Sequence, residues 1–175
     1  AMWSHLESLG ESKKIEAVSI NPTLVVGPSL SDDIGTSNIF IQRMLDGSYP
    51  IIPQMHFGWV TVKDTARAHV EAMTNPNANG KRFIAAHTKP AWMYEVAEVL
   101  SKAGYDKIKL KKAPSFLLKL IGLFDKKTKS LVPMLDKYVP TDNSQTVDIL
   151  KWDPMPWDQA FIEHAKSVEA IKNKS

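Results

Sequence analysis

Apolar and polar positions along the chain fall into short alternating runs separated by stretches with helical spacing. Residues 15–20 alternate weakly and lead into the apolar Leu24–Val26, which predicts one buried strand interrupted by Asn21-Pro22 and stopped by Gly27-Pro28. Residues 57–62 and 82–86 predict two further strands, and Lys-Ile-Lys-Leu-Lys at 107–111 predicts a fourth with one wet face. Met2, Trp3, Leu6 and Leu9 have helical spacing but no N-cap or lead-in before them. Thr36 or Ser37 opens a helix over 38–46, with Ile41, Met44 and Leu45 inward and Gly47 at its end. Asp64, as N-cap or first-turn acid, opens a helix to about Met73 that Asn75-Pro76 ends. Residues 92–103 are amphipathic through Met93, Val96, Ala97, Leu100 and Ala103, with Gly104 as stop. Pro114 and Ser115 open an apolar helix to about Phe124, and a shorter one follows near 127–137. Pro156 starts a C-terminal helix that lines up Trp157, Ala160, Phe161, Ala165 and Val168.

This order predicts an α/β fold with parallel strands and a helical tail. A sheet this thin leaves a bare edge, and parallel sheets ordinarily have both faces covered. The missing lead-in and the thin sheet together predict that part of the fold lies outside this sequence.

Composition narrows the function classes. The 175 residues are 43% hydrophobic and 23% charged, as in a soluble globular chain of one domain or two small lobes. There is no cysteine, which excludes disulfides, thiolate zinc sites, iron–sulfur centres and thiol nucleophiles. The net charge is +3, and the lysine clusters at 107–112 and 119–129 read as solvated faces. Apart from Phe124, no aromatic residue lies within those lysine clusters and none forms a stacking series with them, so no nucleic acid is expected as a partner. No apolar run reaches the ~18–20 residues of a membrane span, and no signal pattern opens the chain, so the cytosol is the default location. The five histidines show no metal-ligand spacing, so no metal is expected. His69, mid-helix among alanines, reads as a satisfied core histidine, whereas His56 lies in a loop before a strand.

Five stretches taken in order carry a resemblance. They are Asn21-Pro22-Thr23-Leu24-Val25-Val26-Gly27-Pro28; Thr36-Ser37-Asn38; the run from Gly58-Trp59-Val60 through Asp64 to His69-Val70; Gly80-Lys81-Arg82-Phe83-Ile84; and Asp142-Asn143-Ser144 with Leu150-Lys151-Trp152. Together they resemble the C-terminal half of an extended short-chain dehydrogenase/reductase of the dihydroflavonol-reductase-like and cinnamoyl-CoA-reductase-like branch. The pattern departs from that branch at Thr61, Lys63 and Thr65, where it usually has Asp, Arg and Val.

The resemblance implies the C-terminal part of a Rossmann-type parallel sheet plus a small, mostly helical substrate-binding lobe. Residues 1–35 and 57–90 would belong to the dinucleotide-binding domain, and 36–56 and 91–175 to the lobe. It implies that the strand at Asn21-Pro22 lies beside the nicotinamide of NADP or NAD. Proline would leave the peptide groups of Pro22, Thr23, Leu24 and Val25 free to meet the carboxamide; the plain alternative is that Asn-Pro ends a strand. Ser37 would lie near the cofactor phosphates or ribose, or serve simply as an N-cap. The loop holding Gln54, His56 and Phe57 would face a small carbonyl substrate. Asp64 is expected to cap its helix and tie down the preceding turn.

The same resemblance implies what this stretch does not carry. None of the eight glycines forms G-x-x-G-x-x-G. The one Tyr-x-x-x-Lys match, Tyr105 with Lys109, falls where a strand is expected, so no catalytic residue is assigned. The expectation is the substrate-binding portion of an NAD(P)H-dependent carbonyl reductase, inactive alone and not retaining the cofactor. The alternative is a non-catalytic binding or assembly subunit with the same fold. With large apolar residues on residues 2–9 and an uncovered strand edge, the chain is expected to self-associate, swap its first helix or need its missing half. The apolar stretch 114–124 reads as a lid, a subunit contact or an interfacial membrane helix; the first two fit the resemblance, and only Lys119 lies inside it.

Overall fold

A computed structural model describes residues 2–9, 15–29 and 35–173. Eight α-helices and six short strands are assigned among them. In order they are α1 (Met2–Ser8), β1 (Ser19–Pro22), β2 (Leu24–Val26), α2 (Thr36–Leu45), β3 (His56–Phe57), β4 (Trp59–Thr61) and α3 (Val62–Thr74). Then come β5 (Arg82–Ala85), β6 (Ala91–Trp92), α4 (Met93–Lys102), α5 (Ser115–Ile121), α6 (Lys126–Leu131), α7 (Ser144–Leu150) and α8 (Trp157–Lys172). The class is α/β, as the sequence predicts.

The single strand expected over 15–26 is two. β1 runs parallel to β5, with Asn21 opposite Ile84, and β2 runs parallel to β4, with Val25 opposite Val60. The partner changes around Pro22-Thr23: the N–H groups of Ser19 and Thr23 face β5, and Pro22 has none to give on the opposite side, so the ladder to β4 begins only at Leu24. The strand expected at 57–62 is likewise split at Gly58: β3 pairs antiparallel with β6, so the sheets are not all parallel. The lysine run at 107–111 forms no strand; one bridge joins Lys112 to Ile52 just beyond it. Ile108 is buried there while Leu110 stays exposed, so the two apolar positions do not share a covered face.

Two apolar clusters hold these pieces. One joins Ile41 and Met44 of α2, Val96 and Leu100 of α4, Phe161 and Ala165 of α8, and Trp59. The other joins Val60, Ala68 and Ala72 of α3, Phe83 and Ala85 of β5, and Leu150 and Trp152 after α7. Alternation along β4 divides them, since Trp59 and Val60 point to opposite faces. Gly27 ends β2 with φ +124°, a conformation that side chains rarely adopt, and this explains the strand stop. Helix α1 buries no residue, and Met2 is exposed.

Helix α8 is tied to α2 by a polar contact inside the first cluster. His164 Nε2 lies 2.7 Å from Asn38 Oδ1, and its Nδ1 is buried with no partner. Burial pushes the imidazole down to about 4, so it is neutral at pH 7. Burial also lowers His56 and His87 below the ordinary histidine value. A base depressed in the folded state binds fewer protons there than in the unfolded chain. Its contribution is therefore complete above about 6.5 and is lost as pH falls toward the folded value. Denaturation from pH 7.5 to 4.5 should show stability falling with acidification. His164 should account for up to about 3 kcal/mol of the loss once pH reaches about 4. In His164→Gln the slope between pH 6.5 and 4.5 should flatten; an unchanged slope would mean that His164 titrates normally.

Candidate functional site at the ends of the parallel strands

The carboxyl ends of β1 and β5 stop side by side, with Pro22 opposite Ala85. In open α/β sheets this is where ligands gather. Three segments meet just beyond. Gly58 sits so close to its neighbours that a Cβ there would lie 2.8 Å from Thr141 Oγ1 and 3.1 Å from Thr23 Cγ2. The loop bearing Thr141 is held by α7 and the residue before it. Asn143 Nδ2 donates to the Ala86 carbonyl at 2.7 Å, and Thr146 Oγ1 donates to the Ile84 carbonyl at 2.8 Å. Both side chains are buried, so each bond satisfies a carbonyl that water does not reach.

The expected freedom of the backbone at Thr23 to Val25 is only partly present. Thr23 N–H donates to Ala85 O at 3.1 Å and Leu24 N–H to Gly58 O at 3.3 Å. The sheet has taken both groups. In the parallel register of β2 with β4, the next N–H, at Val25, turns away from β4. Thr23 and Val25 both present their N–H to the side away from that ladder, and the Thr23 group is taken by Ala85.

Ser37 is the second residue of α2, in the first turn where backbone N–H groups lack helical partners. Neither it nor Thr36 is the N-cap; Gly35 holds that position without a side-chain bond.

In the segment before β4, His56 packs inward. His56 is buried, 2% exposed, edge-on to Trp92 at 4.8 Å and 4.3 Å from the Tyr138 ring. Its Nδ1 accepts the Val139 N–H at 3.0 Å, which requires the tautomer protonated at Nε2 when the ring is neutral. Burial lowers its pKa, partly offset by the Glu95 carboxylate. His56 therefore couples the loop to residues 138–139. Phe57 packs edge-to-face on Phe40 at 5.6 Å within the first cluster. Gln54 lines a cavity of about 290 Å³ with Trp92, Tyr94, Glu95, Glu98 and Lys112.

Asp64 has the structural role expected, with one change. Thr61 is the N-cap of α3, its Oγ1 accepting Asp64 N–H at 2.9 Å and donating to Asp64 Oδ2 at 2.7 Å. The same Oδ2 accepts Met155 N–H at 3.0 Å and so anchors the segment leading to α8. Thr61, one of the departures from the branch pattern, is thus the cap itself. His69 is not a core histidine: it is exposed, bonded through Nδ1 to the Thr65 carbonyl at 2.8 Å. It lines a cleft of about 410 Å³ along β1 with Val18, Ile20 and Met73. Tyr105 donates to Glu169, and burial with that carboxylate pushes its phenol up to about 12. That is the opposite of a phenol readied for proton transfer beside a lysine. Among the described residues no group of three His, Asp or Glu side chains could hold a metal ion. No helix there is long and apolar enough to cross a membrane.

No family model matches the chain. It is 36% identical over 84 residues to cinnamoyl-CoA reductase CAD2 of Medicago truncatula, an alignment spanning 48% of this chain and 24% of that protein. It is 29% identical over 108 residues to the NADPH-dependent methylglyoxal reductase GRE2 of Saccharomyces cerevisiae, spanning 58% and 31%. Its homologues are reductases of the extended short-chain dehydrogenase/reductase family. The solved yeast Gre2 structure complexed with NADPH superposes with a TM-score of 0.71 at 19% identity, covering 98% of this chain and 52% of that one. This reductase homologue thus spans about half the length of the solved structures it matches and less of the curated relatives.

Thr141 and the closure at Gly58 are the elements of the site that local sequence does not announce. Thr141 directly precedes the Asp142-Asn143-Ser144 stretch but has no feature of its own, and its place follows from the two long-range bonds of Asn143 and Thr146. Replacing Gly58 with Ala should force Thr23 and Thr141 apart and lower stability by about 1–3 kcal/mol. Thermal unfolding of the variant checks this; an unchanged Tm would mean that the three segments are not in close contact.

Proposed function

We propose that this chain forms the nicotinamide-side and substrate-side surface of an NADPH-dependent carbonyl reductase. The observation supporting this most directly is the junction of Thr23, Gly58 and Thr141 at the carboxyl ends of β1 and β5, in a chain whose homologues include an NADPH-dependent reductase. NADPH would supply a hydride to a carbonyl carbon. Within Pro22–Val25, the outward N–H of Val25 is the group suited to the carboxamide, and the bare Gly58 lets a flat ring approach the sheet. Ser37 would serve the phosphate or ribose end. Gln54 and Phe57 would line the substrate side, with His56 positioning them from within rather than touching substrate. Residues 1–35 with 57–90 form the cofactor-facing part in this reading, and 36–56 with 91–175 the substrate lobe.

The reaction also needs a phosphate cradle and a proton donor, and this sequence offers neither a G-x-x-G-x-x-G loop nor an activated tyrosine–lysine pair. We infer that another polypeptide segment supplies them, and that the β1 edge and its adjoining cleft are where it packs. The second reading, a binding or assembly subunit without chemistry, is favoured by the same two gaps.

Calorimetric titration of the chain with NADPH should show weak binding or none, and a carbonyl panel no turnover. Micromolar affinity or turnover surviving purification would contradict the division of labour. Supplying the other half of a homologous reductase should restore NADPH oxidation. A complex that forms and stays inactive supports the non-catalytic subunit instead.

A further inference from the structure

The chain's charge is concentrated in one segment. Residues 107–139 hold nine lysines against two aspartates, a formal +7, so the remaining residues together carry −4 to give the chain's +3. Residues 115–134 of this segment, with four of the nine lysines, fold into a helical hairpin, α5 against α6 and the 3₁₀ turn Val132–Met134. The hairpin is closed tightly at Gly122, where a Cβ would lie 2.9 Å from Val132 Cγ2 and 3.2 Å from Lys129 Cα. Its ridge is apolar and outward: Phe116 is 73%, Leu123 72% and Phe124 88% exposed, and Leu120 and Ile121 are also exposed.

The sequence places only Lys119 within α5, which argues against an interfacial helix read alone. Tertiary structure changes that. Lys119 and Lys129 line a common shallow cavity of about 260 Å³ with Leu123, bringing the basic residues of two helices to one side of the apolar ridge. Lys126, Lys129 and Lys137 are exposed. The two aspartates of the segment are occupied within it. Asp125 accepts the Thr128 N–H at 2.6 Å, and Asp136 accepts from Ser115 at 2.5 Å and pairs with Lys119 at 3.5 Å.

We propose that this hairpin docks on an anionic lipid surface, with Phe116, Leu120, Leu123 and Phe124 entering the headgroup boundary and the lysines facing acidic headgroups. An exposed apolar ridge bordered by lysines is the pattern of interfacial anchoring. A second copy meeting hairpin to hairpin would set like charges against each other. The near-complete exposure of Phe124 and Leu123 gives a protruding wedge that suits a deformable surface. The inference is independent of the reductase reading.

The test is co-sedimentation of the whole chain with phosphatidylcholine vesicles, with and without about 30 mol % phosphatidylserine. Binding should be at least about tenfold stronger on the anionic vesicles and should weaken as salt rises. Leu123→Ser/Phe124→Ser should lose about tenfold, and Lys126→Glu/Lys129→Glu should lose the preference for phosphatidylserine, both with unchanged circular dichroism. A further variant, Phe116→Ser alone, keeps the test open should the double serine variant unfold. Equal binding to both vesicles, no binding to either, or binding unaffected by these substitutions would overturn the proposal. So would concentration-dependent self-association through the ridge, seen by light scattering without vesicle binding.

Discussion

Pro22 is the constraint on which the rest of the site depends. A parallel strand donates to its two neighbours from alternate residues; Ser19 and Thr23 face β5, so the N–H that proline lacks at 22 is one that would face the other side. The ladder on that side therefore starts only at Leu24, whose N–H goes to Gly58 directly after Thr23 N–H has gone to Ala85. This transfer brings Gly58 against Thr23 and aims the Val25 N–H away from β4. A residue with an N–H at position 22 would offer a donor on the β4 side before Leu24.

Helix α8 and the segment leading to it are held by buried polar contacts as well as by apolar area. Asp64 joins the start of α3 to the Met155 backbone, and His164 joins α8 to Asn38 of α2. The His164 contact stabilises fully only while the ring is neutral, since a proton added at its buried Nδ1 creates a desolvated charge and a second N–H with no acceptor. The histidines at 56 and 164 are thus parts of the framework. Their depressed pKa values arise from burial that packing requires, and a perturbed pKa near a site is not by itself a sign of chemistry.

The distribution of charge divides this small chain into two surfaces of different character. The lysine-rich segment 107–139 stands apart in composition from a remainder that is net acidic, while the strand ends are built from Thr, Gly, Asn and Pro with little formal charge. A neutral, close-packed junction suits recognition of a flat, uncharged ring, whereas a basic apolar ridge suits a surface.

The α/β class, most helix positions and the strand stop at Gly27-Pro28 were legible in the sequence, because periodicity, proline and glycine act locally. Asp64 as a first-turn acid was legible for the same reason. The antiparallel pairing of β3 with β6, the helix α7 and the absence of a strand at 107–111 were not, because each depends on a distant partner: Trp92, the carbonyls of Ile84 and Ala86, and Ile52. His69 shows the limit of periodicity, since a helix among alanines does not reveal which face is covered, and the face bearing His69 lies open. His56 shows the converse: its loop position suggested ligand contact, yet Tyr138 and Trp92, far away in sequence, enclose it. The charge of the hairpin could be counted in the chain, but only the packing of α6 on α5 put those lysines beside the phenylalanines, because side chains of different helices share a surface only after the chain has folded back.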